Sequence, residues 1–354
     1  MALRRIPELD GLRGLAALAV VLYHVYPWTF YFGWCGVELF FTLSGYLITT
    51  IVLDGDRSAG GLGRFYWKRA LRIMPLYFAT LFAVLILNGG RESTAGLGWH
   101  LIFLQNVPEY WRATPPAFIQ CYQPSWSVAA EEQFYACWPP LLLLLAPRTA
   151  VRATVAFLAL CVFARVSLPG SSMFLLFTRG DGIAVGCLLA LLLHGREAFP
   201  RTVSRLMIIT GFGAAYVACY LMLHHGDPNP FPPHACYAGF SIFFAGLIGL
   251  SVAASGSPRL SLLRWQVLRG LGTISYGLYL FHLPILFYST EWFTRIGLTG
   301  FGREVAFWSL IFGLPMCSWY LLERPLLRLR NMRFPMSATT RAPQPVAIAG
   351  RKAG

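Results

Sequence analysis

The chain has 354 residues, of which 56% are hydrophobic and only 12% charged, with a mean hydropathy of +0.56. Soluble domains carry about 25% charged residues, so an ordinary soluble fold is excluded and the apolar surplus calls for a bilayer. The net charge of +14 would suggest nucleic acid in a soluble protein, but here it is read as loop charge that sets membrane topology, and no nucleic-acid partner is expected.

The expected fold is all-α, a polytopic membrane helix bundle of about ten transmembrane helices of about 20 residues each. In chain order the expected spans are 14–32, 36–53, 74–90, 126–146, 151–168, 172–194, 206–223, 235–254, 270–290 and 303–322. The basic start, Arg4 and Arg5, resembles a signal peptide, but Asp10, Arg13 and His24 punctuate the next segment and no A-x-A site appears. The first span is therefore expected to be retained. The apolar run 99–107 is too short to cross and is read as re-entrant or interfacial. The segment 225–234, HGDPNPFPPH, reads as an outer loop. Residues 1–334 form the expected membrane domain, and 335–354, rich in Pro, Ala and Thr, an expected disordered cytoplasmic tail. With both termini inside, 23 of the 29 Lys and Arg fall on inside segments, which fixes the expected orientation in a bacterial inner or plasma membrane.

The eight cysteines include no CxxC pair and lie mostly in apolar runs, so they read as small buried hydrophobes; no metal is expected. Charged groups inside a membrane are costly, and each needs a partner or a task. Arg13 and His24 share one helix face, because eleven steps of about 100° exceed three turns by only about 20°. They lie about 16 Å apart along the axis, with Arg13 expected at the cytoplasmic edge and His24 near mid-membrane. An imidazole there can accept a proton, or it can serve as an interhelical hydrogen bonder.

On the cytoplasmic segment 64–77, Arg69 and Arg72 face one side, with Lys68 and Arg64 adding charge. They suit bidentate phosphate contacts; the alternative is topology anchoring or binding of lipid headgroups. At the expected outer start of span four, Ser127, Glu131 and Tyr135 recur every four residues on one face, while Glu132 points elsewhere. Arg179-Gly180-Asp181 opens span six and reads as an ion pair fixing helix packing. Ser275, Tyr279 and His282 share one side of span nine and either touch substrate or make packing hydrogen bonds. Glu323-Arg324-Pro325 closes span ten as a cap and ion pair.

RIPELDGLRGLAALAVVLYH with GVELFFTLSGYLIT, then KRALRIMPLY, SWSVAAEEQFY, RGDGIAVG, SYGLYLFHLP and ERP in that order resemble the acyltransferase-3 family of membrane acyltransferases across residues 4–325. The resemblance implies a catalytic role for His24 and an acyl-donor role for Arg13, through the family's Arg-x10-His motif. It implies that Arg69 and Arg72, its Arg-x-x-Arg motif, hold CoA phosphates, and that Glu131 is the glutamate of its W-S-x-x-x-E pattern. Some members fuse a C-terminal esterase-like domain; this chain ends soon after span ten, and transfer within the membrane domain is the resulting expectation.

The expected function is transfer of an acyl group, most simply acetyl, from cytoplasmic acyl-CoA as co-substrate. The acceptor is a hydroxyl of a sugar, glycolipid, cell-envelope polysaccharide or hydroxylated secondary metabolite. No cofactor is expected. His24 acts as general base or acyl carrier, and Glu131 orients the acceptor or His24. Asp10, Ser127, Tyr135, Arg179, Asp181, Tyr279 and His282 are secondary candidates for substrate contact or structure. The competing reading is a polytopic transporter or flippase of an anionic or lipid-linked substrate, although the two halves show no repeat.

Overall fold

The computed structural model describes residues 6–88, 96–113, 121–168, 173–195, 200–223 and 236–329. The expected outer loop 225–234 and the tail 335–354 lie outside the described residues. All regular structure among the described residues is helical: α1 (Pro7–Val25), α2 (Cys35–Asp54), α3 (Ala59–Leu87), α4 (Leu97–Leu101), α5 (Pro108–Ala113), α6 (Ser125–Leu144), α7 (Pro147–Ser167), α8 (Leu176–Arg179), α9 (Asp181–Leu193), α10 (Pro200–Leu223) and α11 (Cys236–Ala253). A 3₁₀ turn (Pro258–Arg264) then leads into α12 (Gln266–Arg295) and α13 (Gly300–Ser318), and a π turn (Trp319–Glu323) leads into α14 (Arg324–Leu329).

Seven of the described helical stretches are long and apolar enough to cross a membrane: α2, α3, α7, α10, α11, α12 and the continuous rod from Gly300 to Leu329. The other three expected spans are present as α1, α6 and α9. Charged and polar side chains along α1 and α6 dilute their hydropathy, and α9 has only 13 residues. The outward faces are apolar. Ile86, Phe163, Phe212 and Phe301 are 69–84% exposed, an arrangement that suits acyl chains and not water. The chain is thus a polytopic helical membrane protein.

Two expected boundaries are corrected. Span one ends at Val25, not residue 32, because Pro27 disfavours helical geometry at Tyr26. Span six is broken at Gly180 into α8 and α9. The run 99–107 forms only one short helix and a set of turns, with Phe103 in the left-handed region at φ 55°. Several of its polar groups are met by protein: Gln105 Nε2 donates to Tyr77 Oη and to the Ser125 carbonyl, both at 2.9 Å, and Gln133 Nε2 donates to the Phe103 carbonyl at 2.8 Å. Irregular backbone at membrane depth is tolerated only where it is covered in this way.

The site is positioned by two close helix crossings. Helices α1 and α12 run parallel and touch backbone to backbone: a Cβ on Gly272 would lie 1.9 Å from the Asp10 carbonyl oxygen. At the crossing of α2 and α9, a Cβ on Gly45 would lie 2.0 Å from the Ile183 carbonyl oxygen. Small residues allow such approach where lipid supplies no hydrophobic drive between helices.

Two buried ion pairs tie α2, α7, α8 and α9 together. Arg179 pairs with Glu38 of α2 and lies over the Tyr237 ring at 3.9 Å. Asp181 pairs with Arg165 of α7 at 2.7 Å. The expected pairing of Arg179 with Asp181 is therefore wrong: neighbours at a helix break point to different helices, and each finds a partner across the bundle. Glu323 likewise accepts from Ser318 Oγ at 3.0 Å, while Arg324 sits over the Tyr320 ring at 5.6 Å. The expected ion pair between Glu323 and Arg324 is not formed; the arginine that acts on Glu323 is Arg72.

Candidate active site

Arg13 of α1 and Arg69 and Arg72 of α3 converge on one small cavity of about 80 Å³. Its walls include Ser44 of α2, Ser127 and Glu131 of α6, and Ser275, Tyr276 and Tyr279 of α12. Helical spacing explains the convergence. Arg69 and Arg72 lie three apart, and α3 is nucleated just upstream by Ser58, whose Oγ accepts from the Gly61 N–H at 3.1 Å. A second cavity of about 260 Å³ shares Arg69 and Arg72 and is lined further by Asp56, Arg64 and Lys68. Asp56 sits in the turn before α3. The Ser58 backbone N–H, at 2.9 Å, holds its carboxyl below the ordinary range, and Arg64 pairs with it. The two arginines therefore line both an outer vestibule and the inner chamber.

None of the three guanidiniums forms an ion pair among the described residues, although Glu131 and Glu132 act on Arg69 and Glu323 acts on Arg72 from beyond contact distance. Arg72 lies in the repulsive field of Arg13 and Arg69. Arg13 feels the carboxylates of Asp10 and Glu131, which leaves Asp10 in the first turn of α1 as a remote counter-charge. The Nε atoms of Arg13 and Arg69 are buried without a hydrogen-bond partner among the described residues. Arg69 lies 3.8 Å above the Tyr135 ring, a cation–π contact that supplies partial compensation without a full counter-charge.

Glu131 belongs to this chamber. Its carboxylate accepts from Ser44 Oγ at 2.6 Å and from Tyr135 Oη at 3.0 Å. Ser127, one turn earlier, is 2.6 Å from Tyr279 Oη. The face Ser127–Glu131–Tyr135 is thus used as one surface, as its spacing implies. Glu132 does not line the chamber. The expectation that Glu131 orients His24 is not met, because hydroxyls and arginines surround it. Nor does Glu131 approach from the side opposite the arginines.

His24 lies outside the chamber wall, in the last turn of α1 rather than mid-helix. It is level with the middle of the 30-residue α12, where it meets His282: His282 Nε2 is 3.3 Å from His24 Nδ1, with ring centroids 4.9 Å apart. His282 in turn lies against Tyr279 of the chamber wall, with ring centroids 5.8 Å apart. The order along α12 is therefore Ser275, Tyr276 and Tyr279 in the chamber, then His282 and His24 beyond it. Ser275 itself donates to the Gly272 carbonyl at 2.9 Å. Arg179 and Asp181 stand apart, in the ion pairs described above.

Three functional or structural partners are missing from the sequence reading: Ser44, which anchors Glu131, and Glu38 and Arg165, which complete the buried pairs. Glu38 is detectable, since a carboxylate four residues into an apolar span marks a site by itself. Ser44 carries no such signal. Among the described residues no three His, Cys, Asp or Glu side chains converge as a metal site requires.

The fold and the site define a helical membrane protein in which a chamber of three arginines, walled by one carboxylate and several hydroxyls, leads to a histidine pair one turn deeper. The profile of a family described as "Acyltransferase domain" matches residues 6–324. The chain belongs to that family, the acyltransferase-3 family of membrane acyltransferases. It is similar to the putative peptidoglycan O-acetyltransferase YrhL of Bacillus subtilis, at 28% identity over 91% of this chain and 55% of that protein. It is also similar to the peptidoglycan O-acetyltransferase OatA of Listeria monocytogenes (28%, over 80% of this chain and 50% of that one) and to the O-acetyltransferase OatA of Staphylococcus aureus (27%, over 82% and 52%). The chain spans about half the length of these relatives. No solved structure matches it.

Proposed function

We propose that this protein transfers an acetyl group from acetyl-CoA, entering from the cytoplasmic side, to a hydroxyl of a cell-envelope polysaccharide. The observation that carries the reading is the contrast between the two sets of buried charge. Arg165, Arg179 and Arg264 each pair with a carboxylate in contact, whereas Arg13, Arg69 and Arg72 crowd one chamber whose one lining carboxylate is already bonded to Ser44 and Tyr135, with Asp10, Glu132 and Glu323 acting on them only from beyond contact distance. Three like charges in a low-dielectric site repel one another, and a polyanion relieves that cost. CoA offers phosphates for the Arg64, Lys68, Arg69 and Arg72 vestibule and a long arm that carries the thioester inward past Arg13. The relatives' described activity on peptidoglycan supports a glycan as acceptor.

In the reaction, His24 Nε2 removes the acceptor hydroxyl proton as that oxygen attacks the thioester carbonyl carbon. The C–S bond then breaks, and the departing thiolate takes the proton back from His24. Glu131, held by Ser44 and Tyr135, accepts a hydrogen bond from the donor arm or the sugar.

Arg69→Ala and Arg72→Ala together should weaken CoA binding to the purified protein by at least about tenfold, measured by calorimetry in nanodiscs. The wild-type affinity should also fall with added salt more steeply than the variant's. Equal CoA affinities in wild type and a folded double variant would remove the phosphate clamp and leave these arginines as topology anchors.

A further inference from the structure

We infer that His282 is the positioning residue of His24: it fixes the His24 tautomer with Nε2 bare and stabilises the imidazolium that forms when Nε2 takes a proton. The inference rests on the acyl-transfer reading above.

Two backbone carbonyls, which can only accept, set the direction of each bond in the pair. His282 Nδ1 lies 2.6 Å from the carbonyl oxygen of Tyr279, three residues back on α12. A carbonyl cannot donate, so Nδ1 carries the hydrogen and Nε2 of a neutral ring is left as an acceptor. That Nε2 faces His24 Nδ1 at 3.3 Å. His24 Nδ1 also lies 2.9 Å from the Val20 carbonyl oxygen. Two acceptors converge on it, so His24 Nδ1 is the protonated nitrogen and shares its hydrogen between them. The fourth ring nitrogen of the pair, His24 Nε2, has no hydrogen-bond partner among the described residues. Both tautomers are thus assigned from the partners of the ring nitrogens.

Burial makes the arrangement rigid. His282 is 1% exposed and His24 half-buried, and Gly272 and Gly14 hold α1 against α12 at backbone contact. The fixed tautomer has a chemical consequence. When His24 Nε2 takes the hydroxyl proton, positive charge spreads to Nδ1–H, and its hydrogen bond to the His282 lone pair strengthens. His282 gains no proton; it does for His24 what a carboxylate does in a catalytic triad, without placing a negative charge in the membrane.

Substitutions at 282 separate this from packing. His282→Phe keeps ring volume but cannot accept a hydrogen bond. His282→Gln carries its amide oxygen near the position of Nε2, whereas the shorter His282→Asn ends near Nδ1. The expected order of kcat for acetyl transfer is wild type, then Gln, with Asn and Phe on the order of tenfold or more below wild type. KM for acetyl-CoA should be unchanged throughout, and H24Q/H282F should be no slower than H24Q alone. If Phe matches or exceeds Gln, His282 is a packing residue and the inference fails. In the wild-type protein, which needs no variant to fold, ¹⁵N spectra of labelled histidine should show His24 protonated at Nδ1 at neutral pH. Protonation at Nε2 would overturn the assignment. A wild-type protein that transfers no acetyl group would instead sink the acyl-transfer reading, a result distinct from either.

Discussion

His24→Gln should abolish acetyl transfer, lowering its rate by at least about 10²-fold, the contribution typical of a general base, while CoA still binds. The structure sharpens this expectation. A glutamine at position 24 ends near the position of Nε2 and keeps a polar side chain there, and the α1–α12 crossing survives because Gly14 and Gly272 hold it at backbone contact. What it lacks is a basic nitrogen at the position of Nε2. A loss of about 10²-fold corresponds to about 2.7 kcal/mol of transition-state stabilisation. Transfer in detergent or nanodiscs, with CoA affinity measured in parallel, checks the expectation. Substantial activity with normal affinity would reduce His24 to a helix-packing residue and move the search for the base to Glu131 in the arginine chamber.

The second large effect is structural. Arg179→Ala should remove the partner of Glu38, leaving a fully buried carboxylate whose remaining side-chain contact is Ser241 Oγ at 3.4 Å. Removing one member of a buried pair costs about 3–5 kcal/mol, because the other charge stays desolvated. The stacking of the guanidinium on Tyr237 and, at 5.1 Å, on Trp126 is lost as well. The variant should show a clear drop in its thermal unfolding midpoint in detergent, and adding Glu38→Gln should recover part of it by removing the stranded charge. An unchanged midpoint for Arg179→Ala would mean that the pair is solvated and contributes little to the bundle.

Much of this architecture is legible in the sequence because the bilayer simplifies the code. Long apolar stretches must be helices, and Arg13, His24, Arg69, Arg72 and Glu131 stand out against them by cost alone. Three-residue and four-residue spacings are enough to place Arg69 with Arg72, and Ser127 with Glu131 and Tyr135, on shared faces. The misses have local causes. Hydropathy alone extends span one through the Tyr26–Phe32 stretch, whereas the backbone restriction at Pro27 ends it. Arg165 and Arg179 fall with the outer-loop charges by position, although each sits in a buried pair, because hydropathy does not distinguish a charge at a span end from one turned inward. Glu38 carries the same cost signal inside its apolar run, but its partner Arg179 lies 141 residues away and no local spacing links the two. The meeting of His24 with His282, 258 residues apart, carries no local signal, and neither does the link from Ser44 to Glu131. Such contacts depend on which helices lie side by side, which spacing within one helix does not specify.

The most direct test of the central claim is the fate of the acyl group. The purified wild-type protein in nanodiscs should be incubated with acetyl-labelled CoA and cell-envelope glycan. Label should leave CoA and appear as an ester on the glycan, in step with release of free CoA thiol, and neither should occur with His24→Gln. Acetyl-CoA recovered bound but intact, with no ester formed by a folded wild-type protein, would contradict acyl transfer and favour a transporter of anionic substrates.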